Sequence, residues 1–210
     1  MRTKTLLLSA AAIVAGALSS QAQSNVYSAN IVGYVTVTNA ANQYVVLANP
    51  LDNGTNDLVS LLPNAANGSQ VLIFQGGNLQ TSLKNKGNWS QNFIIPPGTG
   101  FFYKNTADGT NTFVGSVAGF SNAIPTSANI LTLVGSPIPF SGTISDSGTN
   151  TLNLNVLPNG SKIFVFANGA LQTALKNKGN WSQNFTITPG EGFYINSTAD
   201  TNIQQFLNLQ

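Results

Sequence analysis

The sequence predicts an all-β protein made of two tandem sandwich or small-barrel-like repeats of about 90 residues, packed as a pseudo-symmetric pair. Three observations predict this class. The second half of the chain repeats motifs of the first half. Short runs of β-branched and aromatic residues recur along both halves. Turn signals rich in Gly, Asn and Pro separate these runs at intervals of about ten residues, which is typical of sandwiches and small barrels.

The repeat is clearest where residues 79–93 match residues 171–185 at fourteen of fifteen positions, ninety-two residues further along the chain. The one difference is Ser82 against Ala174. Segments outside this stretch have diverged much further. Either a constraint on the segment or a recent gene conversion explains the near-identity, and the sequence alone does not separate these two explanations.

The match continues downstream, where the motif Pro-Gly-x-Gly-Phe begins at Pro97 and again at Pro189. Repeats of this kind indicate a unit that is copied and stacked. We therefore assign residues 23–116 to β-repeat 1 and residues 117–210 to β-repeat 2.

Hairpin signals occur at corresponding places in the two repeats. Residues 71–74 and 162–166 are β-branched and aromatic runs of strand length. A Gly-Gly pair at 76–77 follows the first run closely and an Asn-Gly pair at 168–169 follows the second. Both pairs suit the positive φ angles of a two-residue type I′ turn, so a hairpin is predicted in each repeat.

Further elements follow the same pattern. The Pro-Gly pairs at 97–98 and 189–190 suit the two central positions of a type II turn. The aromatic-rich runs at 101–103 and 193–195 then predict buried strands. Asp57 is a candidate N-cap for a single helical turn in an otherwise strand-rich repeat. In all, we expect six or seven short strands per repeat.

The first residues predict export. Arg2 and Lys4 precede an apolar stretch at 6–18. Ser20 and Ala22 then provide small residues at the two positions that a signal peptidase recognises. This arrangement is typical of a secretory signal peptide, here residues 1–22. The apolar stretch is shorter than the roughly twenty residues that a spanning helix needs, so no transmembrane anchor is expected in the mature chain. We expect the protein to be secreted, either periplasmic or extracellular.

Composition excludes several functional classes. The chain has eight Lys and Arg and six Asp and Glu, and loss of Arg2 and Lys4 with the signal peptide leaves a net charge of zero. Nucleic-acid binding needs clustered basic groups that release counterions, so no nucleic-acid partner is expected. The sequence contains neither Cys nor His, which excludes disulfides, Ser-His-Asp and Cys-His catalysis and most zinc sites.

Catalysis by carboxylates alone is the remaining enzymatic route. Glycosidases need only two carboxyl groups, so a carboxylate-dependent glycosidase stays as a remote alternative. Asp108 and Asp200 occupy corresponding positions in the two repeats. Such a pair is better explained as one turn made twice than as an acid and a base in different environments. We predict a protein that is not an enzyme and that carries no cofactor.

An oxygen-rich loop is a weak calcium candidate. Asp52 and Asp57 enclose Asn, Gly and Thr residues that offer oxygen ligands. The corresponding loop at 146–151 keeps only its first acid. Asp and Asn also accept hydrogen bonds from their own backbone in turns, and we favour this interpretation, with no resident metal.

The near-identical segments hold the only two tryptophans. Carbohydrate binding is one interpretation, because an indole ring stacks on a sugar ring while amides bind its hydroxyl groups. The alternative, which we favour, is that each tryptophan fills the end of a barrel and the lysines are solvated in a loop. The candidate ligand-binding residues are Lys84, Asn88, Trp89, Gln91, Lys176, Asn180, Trp181 and Gln183.

An ordered set of short motifs runs through the first repeat: Val-Gly-Tyr-Val at 32–35, Asn-Pro-Leu at 49–51, Leu-Leu-Pro-Asn at 61–64, Trp89, Pro-Gly-x-Gly-Phe-Phe at 97–102 and Phe-Val-Gly at 113–115. This set resembles the uncharacterised secreted β-repeat proteins of Verrucomicrobia and related bacteria, over nearly the whole mature chain. The resemblance implies export and a β-repeat fold, and no activity. The second repeat departs from the pattern at 121–125 and has a longer loop at 139–150.

These observations predict an exported, non-catalytic structural or surface-associated protein that acts through β-sheet-mediated contacts. Its partner would be a second copy of itself or a cell-surface or extracellular polysaccharide. The strand-like segment at 27–37 either adds to the sheet edge of a neighbour or pairs within its own repeat. A carbohydrate-binding module that uses the tryptophan segments is the alternative.

Overall fold

The computed structural model describes residues 31–75, 77–119, 121–167 and 170–208. The predicted signal peptide, the start of the strand-like segment at 27–30, Gly76 and the 168–169 turn lie outside the described residues. Residues Ile31–Gln210 belong to one compact unit. The fold is all-β, as predicted, and the described residues include one short α-helix. None of the helices in the described part is long and apolar enough to cross a membrane.

The described residues of the first half form seven strands and the helix. Their bounds are β1 Val32–Asn39, β2 Tyr44–Ala48, α1 Leu58–Leu61, β3 Gln70–Gln75, β4 Asn78–Asn85, β5 Asn88–Trp89, β6 Gly100–Lys104 and β7 Gly109–Ser116.

The described residues of the second half form nine strands and a 3₁₀ turn. Their bounds are β8 Ser121–Thr126, β9 Leu131–Gly135, β10 Gly142–Thr143, the turn Leu154–Val156, β11 Lys162–Ala167, β12 Ala170–Asn177, β13 Asn180–Trp181, β14 Thr186–Ile187, β15 Gly192–Asn196 and β16 Thr201–Phe206. This exceeds the six or seven strands predicted because β10 and β14 pair as an additional two-residue ladder, with β10 inside the long 139–150 loop.

All the strand ladders are antiparallel. One five-stranded sheet has the order β2-β6-β3-β4-β5, and the other has the order β9-β15-β11-β12-β13. A two-stranded ribbon accompanies each sheet, β1-β7 in the first half and β8-β16 in the second. No sheet closes on itself in the described part of the chain, so the architecture is sandwich-like rather than barrel-like.

Each half has its own hydrophobic core between ribbon and sheet. In the first half, the ribbon contributes Val35, Val37 and Phe113, while the sheet contributes Phe101 and Tyr103 among others. The fully buried Phe101 and Tyr103 alternate along β6 with the less buried Phe102, as the period-two geometry of a strand requires. This confirms the buried aromatic strand predicted at 101–103. The corresponding strand β15 buries Phe193 and Ile195 in the second core.

The predicted pairing of both hairpins and the predicted Pro-Gly turn at 97–98 are confirmed. Strands β3 and β4 pair up to Gln75 and Asn78, and β11 and β12 pair up to Ala167 and Ala170, so two residues connect each pair. The predicted type II turn at 97–98 closes with a 3.0 Å bond from the Thr99 N–H to the carbonyl of Pro96. Gly98 has the positive φ of 82° that this turn requires.

The helical turn predicted after Asp57 is also confirmed. Helix α1 begins at Leu58, and Asp57 is its N-cap, accepting a 2.8 Å hydrogen bond from the Ser60 N–H. Leu58 and Leu61 are buried beneath it in the first core. The helix therefore adds two leucines to the core instead of extending a sheet.

The two five-stranded sheets contact each other through β2 and β6 on one side and β9 and β15 on the other. The Pro-Gly turns lie at this junction: the Ala48 N–H donates to the carbonyl of Gly190, and the Gly135 N–H donates to the carbonyl of Gly98, each at 2.9 Å. The bridges and the ring contact across the junction are Leu47–Glu191, Thr99–Val134 and Phe102–Tyr194, the last with ring centroids 6.1 Å apart.

Candidate functional site

The near-identical segments form a second hairpin in each half. Strands β4 and β5 are joined by Lys86 and Gly87, whose φ angles of 49° and 83° are both positive. Lys178 and Gly179 repeat the same angles between β12 and β13. These are the backbone signs of a type I′ turn. Sequence reasoning missed these turns because lysine has no particular preference for the left-handed region.

Trp89 belongs to the first hydrophobic core, and only 8% of its surface is exposed. The Lys84 ammonium lies 5.6 Å from the centre of its ring and donates a 3.3 Å hydrogen bond to the carbonyl of Pro63. Lys84 itself is buried. A cation over the face of an indole is attracted by the ring quadrupole. That face of Trp89 is therefore already occupied from within the protein.

The twin segment has the same arrangement with a looser ring. The Lys176 ammonium lies 5.7 Å from the ring of Trp181 and donates to the carbonyl of Asn155. Lys176 is buried, and burial lowers the pKa of its ammonium group. Trp181 is only partly buried against the second core. Lys84 and Lys176 are therefore not solvated loop residues, contrary to the interpretation that sequence favoured.

The polar candidates of these segments lie on the surface. Asn88, Gln91, Asn180 and Gln183 are exposed. In contrast, the indole nitrogens of both tryptophans are buried, and neither has a hydrogen-bond partner within the described residues. In the first half the exposed amides are thus separated from the buried ring of Trp89, whereas a sugar site of the predicted kind needs both on one accessible surface. The ligand-binding assignment of these residues stays a prediction.

The near-identical segments also reverse the usual burial of a strand. Along β4, Ser82 and Lys84 point into the protein, while Leu79 and Leu83 are 49% and 40% exposed. Leu79 pairs across the sheet with Phe74, which is 53% exposed. Leu171, Leu175 and Phe166 repeat this exposed apolar face in the second half. Sequence reasoning missed these faces. The alternation along β4 offered a signal, because it puts Gln80, Ser82 and Lys84 on one face and the leucines on the other.

The calcium candidate Asp52 is engaged in a turn. One of its carboxylate oxygens accepts 2.8 Å bonds from the Gly54 N–H and from the Asn56 amide. Asp57 caps helix α1 and also accepts a 2.9 Å bond from the Asn92 amide. No group of three or more acidic, His or Cys residues capable of holding a metal ion occurs in the described parts of the chain. The loop is thus organised by its own hydrogen bonds.

These bonds predict an acid-sensitive loop. Hydrogen bonds, first from the Gly54 backbone and then from Asn56, lower the pKa of Asp52, and bonds from Ser60 lower that of Asp57, both from 3.8. The unfolded chain therefore binds more protons just below pH 3.8, so this contribution to stability is complete above 3.8 and is lost as pH falls through the lower folded values. Urea unfolding of an Asp52→Asn/Asp57→Asn variant should depend less on pH in this range than the wild type. An unchanged dependence would contradict the assignment.

Asp108 and Asp200 accept corresponding backbone hydrogen bonds in the two halves. Asp108 accepts a 2.7 Å bond from the Ala41 N–H, in the connection between β1 and β2. Asp200 accepts a 2.8 Å bond from the Ala128 N–H, between β8 and β9. Each carboxylate therefore ties the turn before the last strand of its half to the connection that follows the first strand.

Strand β1 has one paired and one free edge. It pairs with β7 along its whole length, from Val32 opposite Ser116 to Asn39 opposite Gly109. The described part of the strand-like segment therefore pairs within its own half. The sheet has only these two strands, so the other edge of β1 has no partner strand in the described part of the chain.

The hydrogen bonds show which residues of β1 face the free edge. The Val117 N–H donates to the carbonyl of Ile31 in the same register as the ladder. Bonded pairs alternate along an antiparallel ladder, so the odd-numbered residues of β1 bond to β7. The even-numbered residues direct their N–H and C=O groups to the free edge. These residues, all exposed, are Val32, Tyr34, Thr36 and Thr38.

An open groove of about 940 Å³ lies between β1 and β2. Tyr34, Thr36 and Tyr44 line it from these strands, and Phe166 and Pro189 line it from the second half. The corresponding groove beside β8 and β9 measures about 240 Å³. The free edge of β1 is thus accessible along a groove that is larger than the corresponding groove beside β8.

Other ribbon edges are covered or interrupted. The outer edge of β7 exchanges two 2.8 Å backbone bonds between Ser116 and Asp52. On β16, the carbonyl of Phe206 accepts a 2.8 Å bond from the Asn150 N–H. Strand β8 carries Pro125, which has no N–H to offer a neighbouring strand. Within the described residues, β1 is therefore the one ribbon strand whose outer edge has neither a backbone bond to a loop nor a proline.

No family model, no curated protein and no solved structure matches this chain.

Proposed function

We propose that this chain is an exported, non-catalytic structural or surface-associated protein that acts through β-sheet-mediated contacts. The free edge of β1 is the observation that carries the proposal. Proteins usually protect such edges with charges, prolines, bulges or covering loops, because an exposed edge recruits other strands. Strand β1 contains no charged residue and no proline, and its exposed side chains are those of Val32, Tyr34, Thr36 and Thr38.

The electrostatic balance supports association. The described residues contain six lysines and six acidic residues, so their net charge is zero. Near-zero net charge removes the long-range repulsion that keeps many soluble proteins apart. The exposed apolar faces around Leu79 and Leu171 add surface that suits contact with another macromolecule.

The non-catalytic part of the proposal rests on the roles of the polar groups. The sequence has no His and no Cys. Four of its six acids accept hydrogen bonds from turns, caps or strand connections, and these are Asp52, Asp57, Asp108 and Asp200. Glu191 and Asp146 likewise accept bonds from the backbone N–H groups of Thr188 and Thr143. Carboxylates bonded in this way stabilise turns, a helix cap and strand connections.

The proposed architecture is a pair of tandem repeats related by a pseudo-twofold axis. Reciprocal contacts support it: Leu47 bridges Glu191, while Thr99 bridges Val134. Thr99 and Glu191 follow corresponding Pro-Gly pairs, and Leu47 and Val134 precede corresponding Pro-containing turns. Contacts that exchange equivalent partners are the mark of an isologous interface. Membership in the secreted β-repeat proteins that the sequence resembles is part of this proposal.

Carbohydrate binding by the tryptophan segments is the second candidate. The exposed amides of Asn180 and Gln183 and the partial exposure of Trp181 favour it in the second half. The burial of Trp89 argues against an equal role for the first half, and with it against two matched sugar sites.

A proline in β1 tests the main proposal. Thr38 and Pro125 occupy corresponding positions, since Thr38 pairs with Thr110 and Pro125 with Asn202. Thr38→Pro should remove one donor from the free edge and leave the ladder to β7 intact, because the Thr38 N–H faces away from β7. Protein expressed from the complete sequence should form dimers in light scattering, with electron microscopy of the same sample to detect any larger assembly. The proline variant should be largely monomeric.

Thr38→Ala is the matched control, because it removes the same side chain and keeps the N–H group. It should associate like the wild type. Circular dichroism and thermal unfolding establish that both variants are folded. A wild-type protein that stays monomeric, or a folded proline variant that associates as strongly as the alanine variant, would remove the support for contacts through β1.

A further inference from the structure

We propose that the partner of β1 is the β1 strand of a second copy, paired antiparallel, so that the two ribbons form one four-stranded sheet with the order β7-β1-β1′-β7′. This inference rests on the proposed function and names its partner. Two identical edges are complementary to each other when a twofold axis relates them, because each then offers donors where the other offers acceptors.

The alternation along β1 restricts the register. Residues with outward N–H and C=O groups must lie opposite each other, so even-numbered residues pair only with even-numbered residues. Placing Val32 opposite Thr38′ and Tyr34 opposite Thr36′ uses all four outward residues of each strand. A shift by two residues in either direction loses one of these four bonded pairs. The structure therefore favours a dyad at Val35.

The side chains fit this register. On the exposed face, Tyr34 would lie beside Thr36′ and Val32 beside Thr38′, and aromatic or β-branched pairs of this kind stabilise antiparallel sheets. Val35 and Val35′ would meet on the other face, next to the core. Neither β1 nor β7 contains a charged residue, so the twofold axis brings no like charges together.

The second half explains why β1, rather than β8, forms the contact. Pro125 interrupts the outward donors of β8 at the position that Thr38 occupies in β1. The groove beside β8 is also about a quarter of the volume of that beside β1, at 240 Å³ against 940 Å³. Among the ribbon edges of the described residues only that of β1 is unprotected, so association through the ribbons forms pairs at this contact.

Cysteine cross-linking tests the register, because the chain has no cysteine of its own. In a Val32→Cys/Thr38→Cys variant, each cysteine should lie opposite its counterpart with Cα atoms about 5.5 Å apart, which is within disulfide range. The two positions within one chain are six residues apart, about 20 Å along a strand, so no internal disulfide forms. Mild oxidation should convert most of the full-length double variant into a covalent dimer that reduction reverses.

Single variants provide the controls. Val32→Cys alone and Thr38→Cys alone should stay uncross-linked, while an equal mixture of the two should give the heterodimer. Thr112→Cys, exposed on β7, should also stay uncross-linked. Cross-linking of Val32→Cys with itself would indicate either parallel pairing or an antiparallel pair with its dyad at Val32, and each would overturn the proposal.

The two experiments together distinguish failure of the β1-β1′ pairing from failure of contact through β1. If Thr38→Pro abolishes association while the double variant forms no covalent dimer, the edge of β1 acts with a different partner or register, and this inference fails alone. If Thr38→Pro has no effect and no cross-link forms, both the inference and contact through β1 fail.

Discussion

Replacing Trp89 with alanine is expected to lower the free energy of unfolding by about 3–5 kcal/mol, the cost typical of a large aromatic removed from a core. Its ring is almost fully buried among the residues of the first core and lies under the Lys84 ammonium. The substitution would leave both a cavity and a buried cation without its aromatic neighbour. A loss of this size is a large fraction of the 5–15 kcal/mol typical of a whole domain.

Trp181→Ala is the matched comparison, because Trp181 has the same sequence context and is less buried. Its loss should be smaller. Each variant leaves one tryptophan as a probe, so emission and acrylamide quenching report the two sites separately. Trp89 alone should emit at shorter wavelength and be quenched less than Trp181 alone. An unchanged stability of Trp89→Ala, together with lost binding to a polysaccharide, would reverse this account and favour the carbohydrate module.

Gly135→Ala is expected to destabilise the protein by about 1–3 kcal/mol or more, through overpacking at the junction of the two sheets. A Cβ atom at Gly135 would lie only 2.0 Å from the Cβ of Ala48. Carbon atoms in favourable contact are about 3.5–4.0 Å apart, so the sheets would have to separate. Denaturant unfolding measures the loss.

The opposing residue offers a rescue. Ala48→Gly in the Gly135→Ala background removes the clash by exchanging the two side chains across the junction, and should restore most of the lost stability. Gly33→Ala controls for the substitution itself, since its Cβ would meet nothing closer than Leu51 at 3.9 Å. Additive losses from Ala48→Gly and Gly135→Ala, with no rescue, would contradict direct contact between these two positions.

Turns and hairpins were predictable from the sequence because their signals are local. The Pro-Gly pair at 97–98 forms its type II turn since proline fixes φ and glycine accepts a positive φ. Asp57 caps α1 since its carboxylate reaches a free N–H three residues later. In each case, a few neighbouring residues determine the backbone conformation without help from the rest of the fold.

Burial within the near-identical segments was not predictable in this way. Alternation along β4 separates the leucines from Ser82 and Lys84, and hydrophobicity predicts that Leu79 and Leu83 face the core. They face outward because Trp89 of the adjacent β5 is buried in the core beside the Lys84 ammonium, and because the Ser82 hydroxyl donates to the carbonyl of Gln91. Tertiary contacts from β5 and the Pro63 carbonyl therefore determine which face is buried.

The free edge of β1 was only partly predictable. The strand itself follows from its β-branched residues, but its partner does not, because Val32 pairs with a residue 84 positions further along the chain. Only the three-dimensional ladder identifies which groups of β1 remain outward. The contrast with Pro125 likewise required the register of both ribbons.

That long separation also bears on the time course of folding. Both ribbons join residues at opposite ends of their halves, with Val32 reaching Ser116 and Ser121 reaching Phe206. Folds dominated by such distant pairings fold slowly, on the order of milliseconds to seconds, because the chain loses the entropy of loop closure before the stabilising contacts form. Strand β1 cannot pair with β7 of its own chain until β7 has been synthesised and the intervening sheet has formed. During that interval β1 is available to the β7 of another chain, so protein concentration at the time of folding would decide between closed monomers and chains that have exchanged their first strand.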